Sequence, residues 1–334
     1  MSEPSSLDGT VLVTGGAGYI GSHTVRALRE AGRDVVVLDS LELGRREAVI
    51  DAPLVVGEIS DRDLVSATCG DHGVTQLVHF AAYKSVGESM GSPEKYWRNN
   101  VAGSVELYEA CMAAGVRDVV FSSSCSVYGT PPEVPVTETA PIQPESVYAE
   151  SKAMVERILS WYGQTNGLNS VSLRYFNAAG ASFDGRIGED WTHSINLVPV
   201  VMKALLLGDR ELAVFGDDYD TPDGTCIRDY IHVDDLADAH VKALAYLGRG
   251  GASTAVNVGT GTGSSVLDVI QASERVSGDP VPYSMEPRRD GDPIATFADP
   301  TFAEETLGWR ARYDLDEIIE TAYAWHRSQL DQGR

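Results

Sequence analysis

The sequence predicts an α/β fold, a doubly wound parallel sheet with a smaller discontinuous α/β domain. Three observations carry that prediction. Short apolar runs alternate with helix-period segments through the first half of the chain, which places parallel strands between two layers of helices. A glycine-rich turn joins the first apolar run to the first helical pattern. After Phe176 the alternation gives way to Gly-, Asp- and Asn-rich sequence, the texture of a chain passing into a second domain.

The first strand is expected at 11–14. It runs into Gly15-Gly16-Ala17-Gly18-Tyr19-Ile20-Gly21 and then a helix through Val25, Ala27 and Leu28. Gly15, Gly18 and Gly21 have separate tasks. The first allows a tight turn, the second lets the backbone approach a pyrophosphate, and the third lets helix and strand pack closely. The free N–H groups of the helix N-terminus suit the anion. The next run, Val35–Asp39, ends in an acid eighteen residues past Gly21. A carboxylate there accepts from an adenosine ribose 2′-OH and repels a 2′-phosphate, so the expected cofactor is NAD, on a Rossmann-like sheet. Further strands are expected at 54–56, 77–80, 119–122 and 171–174. Val101, Val105, Leu107, Tyr108 and Cys111 mark a helix among them.

Residues 1–176 plus 228–258 are expected to form the NAD-binding domain, and 177–227 plus 259–334 the substrate domain. The segment between them returns to the first sheet. Helices are expected at 197–207, from about 231, at 266–276 and at 315–329, with a strand at 254–258.

The composition excludes several functions. A net charge of −23 argues against a broad surface for nucleic acid or an anionic membrane. No run of about eighteen apolar residues occurs, so no membrane span is expected. Residues 1–6 lack the basic and apolar regions of a signal peptide and read as a disordered lead-in, which points to the cytoplasm. Cys69, Cys111, Cys125 and Cys226 show no C-x-x-C pair or metal spacing and are expected to be buried thiols. No metal is expected. Asp234 and Asp235 beside His232 read as helix-terminus charges.

Chemistry gathers at Tyr148-Ala149-Glu150-Ser151-Lys152, with Ser146 as the expected N-cap. Tyr and Lys at i and i+4 share a helix face. A nearby ammonium and a positive nicotinamide favour phenolate, so Tyr148 is expected to have a lowered pKa and to act as a general base while hydride leaves the same carbon. Ser122-Ser123-Ser124 follows a strand, placing a hydroxyl in the crevice. Ala81 and Ala82 leave room for a cofactor at another strand end, and Lys84 is placed to meet its phosphate or ribose oxygens.

The chain resembles the UDP-glucose 4-epimerases of the extended short-chain dehydrogenase/reductase family over about residues 10–330. The resemblance rests on residues 15–23, on His79-Phe80-Ala81-Ala82-Tyr83-Lys84-Ser85-Val86-Gly87-Glu88-Ser89, on Asn99-Asn100-Val101, and on 122–129, 148–152 and 173–180. It continues in Phe215-Gly216-Asp217-Asp218-Tyr219, 224–233 and Pro287-Arg288-Arg289-Asp290-Gly291-Asp292. It implies a tightly held NAD, a UDP-sugar between the domains, and inversion at C4 through a 4-keto sugar. Tyr148 would take the 4-hydroxyl proton, Lys152 would hold the nicotinamide ribose, and Ser124 would bond the C4 oxygen. NAD would also meet Gly15, Gly18, Tyr19, Ile20, Gly21, Asp39, Glu58, Ile59, Phe80, Ala81, Ala82, Lys84, Asn99, Ser122 and Phe176. The UDP-sugar would meet Lys84, Asn177, Asn196, Leu197, Ala213, Val214, Phe215, Arg228, Arg289 and Asp292, with Thr296 beside the sugar's 2-substituent. Two departures stand out. Glu58 replaces the usual Asp beside adenine, and Ser40-Leu41-Glu42-Leu43-Gly44 replaces the usual loop after Asp39.

The resemblance also implies a homodimer formed by helices near 95–113 and 149–163. Val101, Val105, Tyr108, Val155 and Leu159 supply apolar surface there or belong to the core. The alternatives are 4-epimerisation of UDP-pentoses or UDP-hexuronates, and a non-catalytic nucleotide-sensing module. A dTDP-sugar dehydratase would carry an acidic pair where Cys125 and Ser126 stand.

Overall fold

The computed structural model describes residues 9–192, 194, 196–208, 210–289 and 291–333; the expected lead-in lies outside the described residues. Six parallel strands come first: β1 (Thr10–Thr14), β2 (Val35–Asp39), β3 (Leu54–Val56), β4 (Val74–His79), β5 (Asp118–Ser122) and β6 (Asn169–Tyr175). Then follow β7 (Asn177–Ala179), β8 (Leu212–Phe215), β9 (Ile227–His232), β10 (Thr254–Val258), β11 (Gly263–Ser265), β12 (Tyr283–Glu286) and β13 (Ala295–Thr296). The large sheet has seven strands in the order β3-β2-β1-β4-β5-β6-β10, all parallel. The order reverses between β1 and β4, the switch point at which such sheets open a crevice.

The helices are α1 (Tyr19–Glu30), α2 (Arg62–His72), α3 (Val86–Gly91), α4 (Pro93–Tyr96), α5 (Ser104–Ala113), α6 (Val147–Asn166), α7 (Leu197–Leu207), α8 (Val233–Gly248), α9 (Val266–Ser277), α10 (Thr301–Leu307) and α11 (Leu315–Asp331). Strand period two divides the core. Val11 and Val13 pack with Val25 and Leu28 of α1 and Leu236 and Ala239 of α8. Leu12 faces the other way, among Val65 of α2, Leu107 and Tyr108 of α5, and Val155 and Leu159 of α6. Each such Val or Leu contributes about 1.5–3 kcal/mol on full burial. Tyr108, Val155 and Leu159 therefore belong to the chain's own core. A third core joins α7, α9 and α11 to β8.

The expected return to the large sheet is made by α8 and β10. The strand at its start, β9, instead pairs with β7, β11 and β13. The physical reason is Asp229, fully buried in β9. It accepts hydrogen bonds from the N–H groups of Thr260, Gly261 and Ala298 and from the Thr260 hydroxyl. A buried carboxylate needs such donors, and here the stretches after β10 and β13 supply them. Asp234 and Asp235 stand in the first turn of α8, as expected, and Asp235 does more. It is fully buried and accepts from the Arg312 and Tyr313 backbones and the Arg312 side chain, anchoring the stretch before α11. Among the cysteines, Cys69, Cys111 and Cys226 are buried, whereas Cys125 is partly exposed. Among the described residues, no helix is long and apolar enough to cross a membrane, and no cluster of His, Cys, Asp and Glu forms a metal site.

Candidate active site

The β1–α1 turn lies at the crevice. Gly15 has φ +74°, and a Cβ on it would fall 2.6 Å from the Ala81 nitrogen. On Gly21 a Cβ would fall 2.2 Å from the Gly15 carbonyl oxygen, so only glycine lets α1 start this close to the turn. Gly18 is the N-cap of α1 and contributes no side-chain hydrogen bond, leaving the first turn at Tyr19 and Ile20 without a side-chain cap. The Tyr19 hydroxyl donates to the Gly180 carbonyl at 2.6 Å, tying the turn to the chain beyond β7.

Asp39 is buried at the end of β2, where it accepts from the N–H groups of Ala17 and Leu41, each at 2.9 Å. Leu41 takes a left-handed backbone with φ 60° in the departing loop. The carboxylate is thus fixed beside the turn and still has acceptor capacity. Ile59 is buried and Glu58 exposed just after β3. Phe80, Ala81 and Ala82 are half-buried beyond β4, facing the turn. This constellation fits a dinucleotide: a close-approach turn, an uncapped helix N-terminus and a fixed acid at the second strand end.

Ser146 caps α6, its hydroxyl accepting from the Ala149 N–H at 3.1 Å. This places Tyr148 in the first turn. The Ser124 hydroxyl accepts from the Ser126 N–H at 3.2 Å and stands close enough to the Tyr148 phenol to ease its ionisation. The Lys152 Nζ donates to the Ser122 carbonyl at 2.7 Å and lies 5.9 Å from the Tyr148 ring centre. The three predicted catalytic residues therefore meet where β5 ends. Their electrostatics depart from expectation. Burial, followed by the neighbouring Tyr175 phenol, raises the Tyr148 phenol well above its ordinary range, and Ser124 opposes this only in part. Burial pulls Lys152 down to about 7. Desolvation is the largest cause for both groups and favours the neutral phenol and the neutral amine. Ser122 bonds the Tyr175 hydroxyl at 2.9 Å, and Phe176 is buried nearby.

A second group comes from the small sheets. Arg228 in β9 pairs with Asp292 at 3.3 Å, and its charge is felt by Cys125, next to Ser124. Thr296 lies opposite Arg228 in β13, buried, with its hydroxyl unpartnered. Arg289 sits 3.7 Å over the Phe215 ring. In β8, Ala213 and Phe215 are half-buried, whereas Val214 points into the third core and has only its backbone to offer a ligand. Asn177 donates to the Asp229 carbonyl at 3.0 Å. Asn196 occupies the N-cap position of α7, whose first residue is Leu197, and makes no side-chain cap bond there.

Sequence reasoning missed two residues that organise the site. Buried Glu189 accepts from Ser194 at 2.9 Å, Asn196 at 3.1 Å and Lys84 at 3.4 Å, gathering donors from both halves of the chain. Buried Asn100 bonds the Tyr83 N–H and carbonyl and the Ser151 hydroxyl. Asn99 and Asn100 lie in a π-helical run, Trp97–Gly103. The adjacent Asn-Asn pair was the available signal, since π turns concentrate at functional sites.

The fold and site define a dinucleotide-dependent class with a tyrosine–lysine pair at the crevice. The chain belongs to the NAD dependent epimerase/dehydratase family, whose profile matches residues 11–259. It is 49% identical to the UDP-glucose 4-epimerase of Azospirillum brasilense over 100% of this chain and 96% of the relative. The UDP-glucose 4-epimerase structure from Stenotrophomonas maltophila, with bound NAD and formylated UDP-arabinopyranose, superposes with a TM-score of 0.95 at 42% identity, covering 98% of this chain and 100% of the other. That from Bifidobacterium longum, in complex with NAD+ and UDP, gives a TM-score of 0.89 at 38% identity, with 96% and 99% covered.

Proposed function

We propose that this chain catalyses NAD-dependent 4-epimerisation of UDP-hexoses, interconverting UDP-galactose and UDP-glucose. The observation that carries this reading is the meeting of Tyr148, Lys152 and Ser124 where β5 ends, with the charge of Arg228 reaching Cys125 beside them. The full-length similarity to UDP-glucose 4-epimerases supports it. The glycine turn, Tyr19, Ile20, Asp39 and the ends of β3 to β5 hold the cofactor. NAD held there would supply reversible hydride acceptance at sugar C4. Tyr148 accepts the 4-hydroxyl proton as C4 is oxidised, and Ser124 holds the same oxygen. The 4-keto sugar then turns about its link to UDP, and Tyr148 gives the proton back on the inverted centre. Lys152 supplies the positive charge that makes the phenol a base. Arg228 and Arg289 offer guanidinium forks to the UDP portion, alongside Asn177, Asn196, Leu197, Ala213, Val214, Phe215 and Asp292.

In this reading the substrate lies between the two expected domains, with the small sheet on β9 beside the reacting carbon. We further propose a cytoplasmic homodimer, for which Trp161, 64% exposed on α6, offers apolar surface. A monomeric mass in solution contradicts the dimer. UDP-pentose epimerisation is a second reading, favoured by the pentose ligand of the Stenotrophomonas structure. The test is the purified protein on UDP-galactose, UDP-N-acetylgalactosamine and UDP-arabinose without added reductant. UDP-glucose should appear from the first. Turnover of the pentose alone replaces this reading with the second, and no turnover of any rejects both.

A further inference from the structure

Glu156 lies four residues beyond Lys152 and eight beyond Tyr148 on α6, so the three share one helix face. Its carboxylate accepts from the Ser123 hydroxyl and from Arg174, whose Nε and Nη2 lie 3.0 and 2.6 Å away. Ser123 sits between Ser122, whose carbonyl holds Lys152, and Ser124, which stands beside the Tyr148 phenol. Arg174 also donates to the Tyr128 hydroxyl at 2.9 Å, and that hydroxyl donates to Asn257 at 2.7 Å. The Arg174 and Glu156 side chains are only 9% and 12% exposed. An ion pair this buried is a costly way to gain stability alone.

We propose that Glu156 is a positioning residue of the catalytic set: it sustains the positive charge of Lys152 and, through Ser123, fixes the strand end that presents Ser124. The proposal rests on the roles given above to Tyr148 and Lys152. Lys152 is faced by Tyr148 and Glu156 on α6, by the Ser122 carbonyl and Phe121 on β5, and by His79 on β4. Beyond Glu156 stand Arg174 and, beside Tyr148, Tyr175 and Cys125. His79 is buried and held neutral, down to about 3, between Thr14 and Ser104. Against burial, the Glu156 carboxylate pulls Lys152 back toward its charged form.

The experiment is kcat against pH on UDP-galactose, with melting temperature measured in parallel. In Glu156→Gln the alkaline limb, where Lys152 loses its proton, should move down by about one pH unit. In Arg174→Gln the carboxylate loses its competing cation, so the limb should move up. A purely structural role lowers the melting temperature in both variants and moves neither limb, which overturns the proposal. If Glu156→Gln does not fold, the double variant Glu156→Gln/Arg174→Met removes the whole pair. Its limb should still lie below that of the wild type, and an unmoved limb overturns the proposal equally. Glu156→Asp keeps the charge and should restore the wild-type limb. If Tyr148→Phe retains full activity, the underlying reading fails. If that variant is inactive while the limbs stay fixed, only the role of Glu156 fails.

Discussion

Tyr148 carries a demand that its surroundings resist. Burial favours the neutral phenol and the neutral amine, whereas base catalysis needs phenolate beside ammonium. The site holds the groups that resolve this: Ser124 beside the phenol, the Ser122 carbonyl bonding Lys152, and the glycine cradle for a cofactor whose nicotinamide is positive. Tyr148→Phe should therefore fold and keep its NAD but lose at least about 10²-fold in kcat, the scale of general acid–base catalysis. Near-normal turnover removes Tyr148 from the mechanism. Thr296 poses a separate question at the same scale. Its hydroxyl is buried without a partner opposite Arg228, and threonine is much smaller than tyrosine. A pocket with room rejects an added group only weakly. Wild type should accept both UDP-galactose and UDP-N-acetylgalactosamine, and Thr296→Tyr should lose the second selectively. An unchanged activity ratio means Thr296 does not border the sugar.

Among the elements, the β1–α1 turn leaves no room for a side chain at Gly15 or Gly21. A Cβ at Gly21 meets backbone rather than a flexible side chain, so α1 must shift by an ångström or more. Gly21→Ala should give a folded protein that retains much less NAD, read by nucleotide released on denaturation. Full retention shows that the turn does not seat the cofactor. This element was legible in the sequence, as were β2, β3, β10 and α7, because apolar period and glycine spacing are local properties. The β7-β9-β11-β13 sheet was not. Three of its strands have only two or three residues and show no alternation, and they are held by Asp229, whose donors lie some thirty to seventy residues away. Glu189, Asn100 and the distant partners of Asp235 escaped for the same reason: an acid or amide looks solvated until the fold supplies its partners. The Tyr148–Lys152 pair was legible as a spacing, but its desolvation was not, since burial depends on the whole crevice.

The whole molecule is joined across the crevice by a few polar contacts: Tyr19 to Gly180, Lys84 to Glu189, and Arg45 to Asp190 at 3.7 Å. His23 on α1 pairs with Asp234 on α8 at 2.6 Å. Its response to acid depends on two opposed effects. Protonating part of the 49 Asp and Glu relieves the repulsion behind a net charge of −23 and favours the compact state. Four buried histidines act the other way. Burial holds His79 down to about 3, and His232, His240 and His326 to about 4. Each folded value lies below the ordinary 6.5, so between about pH 4 and 6.5 the unfolded chain binds more protons. Stability must then fall as pH falls through that window. Between pH 7 and 5.5 each histidine costs on the order of 1 kcal/mol, and the four together several. Most carboxylates are still ionised there, so relief of repulsion is small and the histidines win. The melting temperature should therefore drop by several degrees from pH 7.5 to 5.5, before the acids titrate. A melting temperature that holds or rises over that interval means that the histidines do not remain neutral in the folded state.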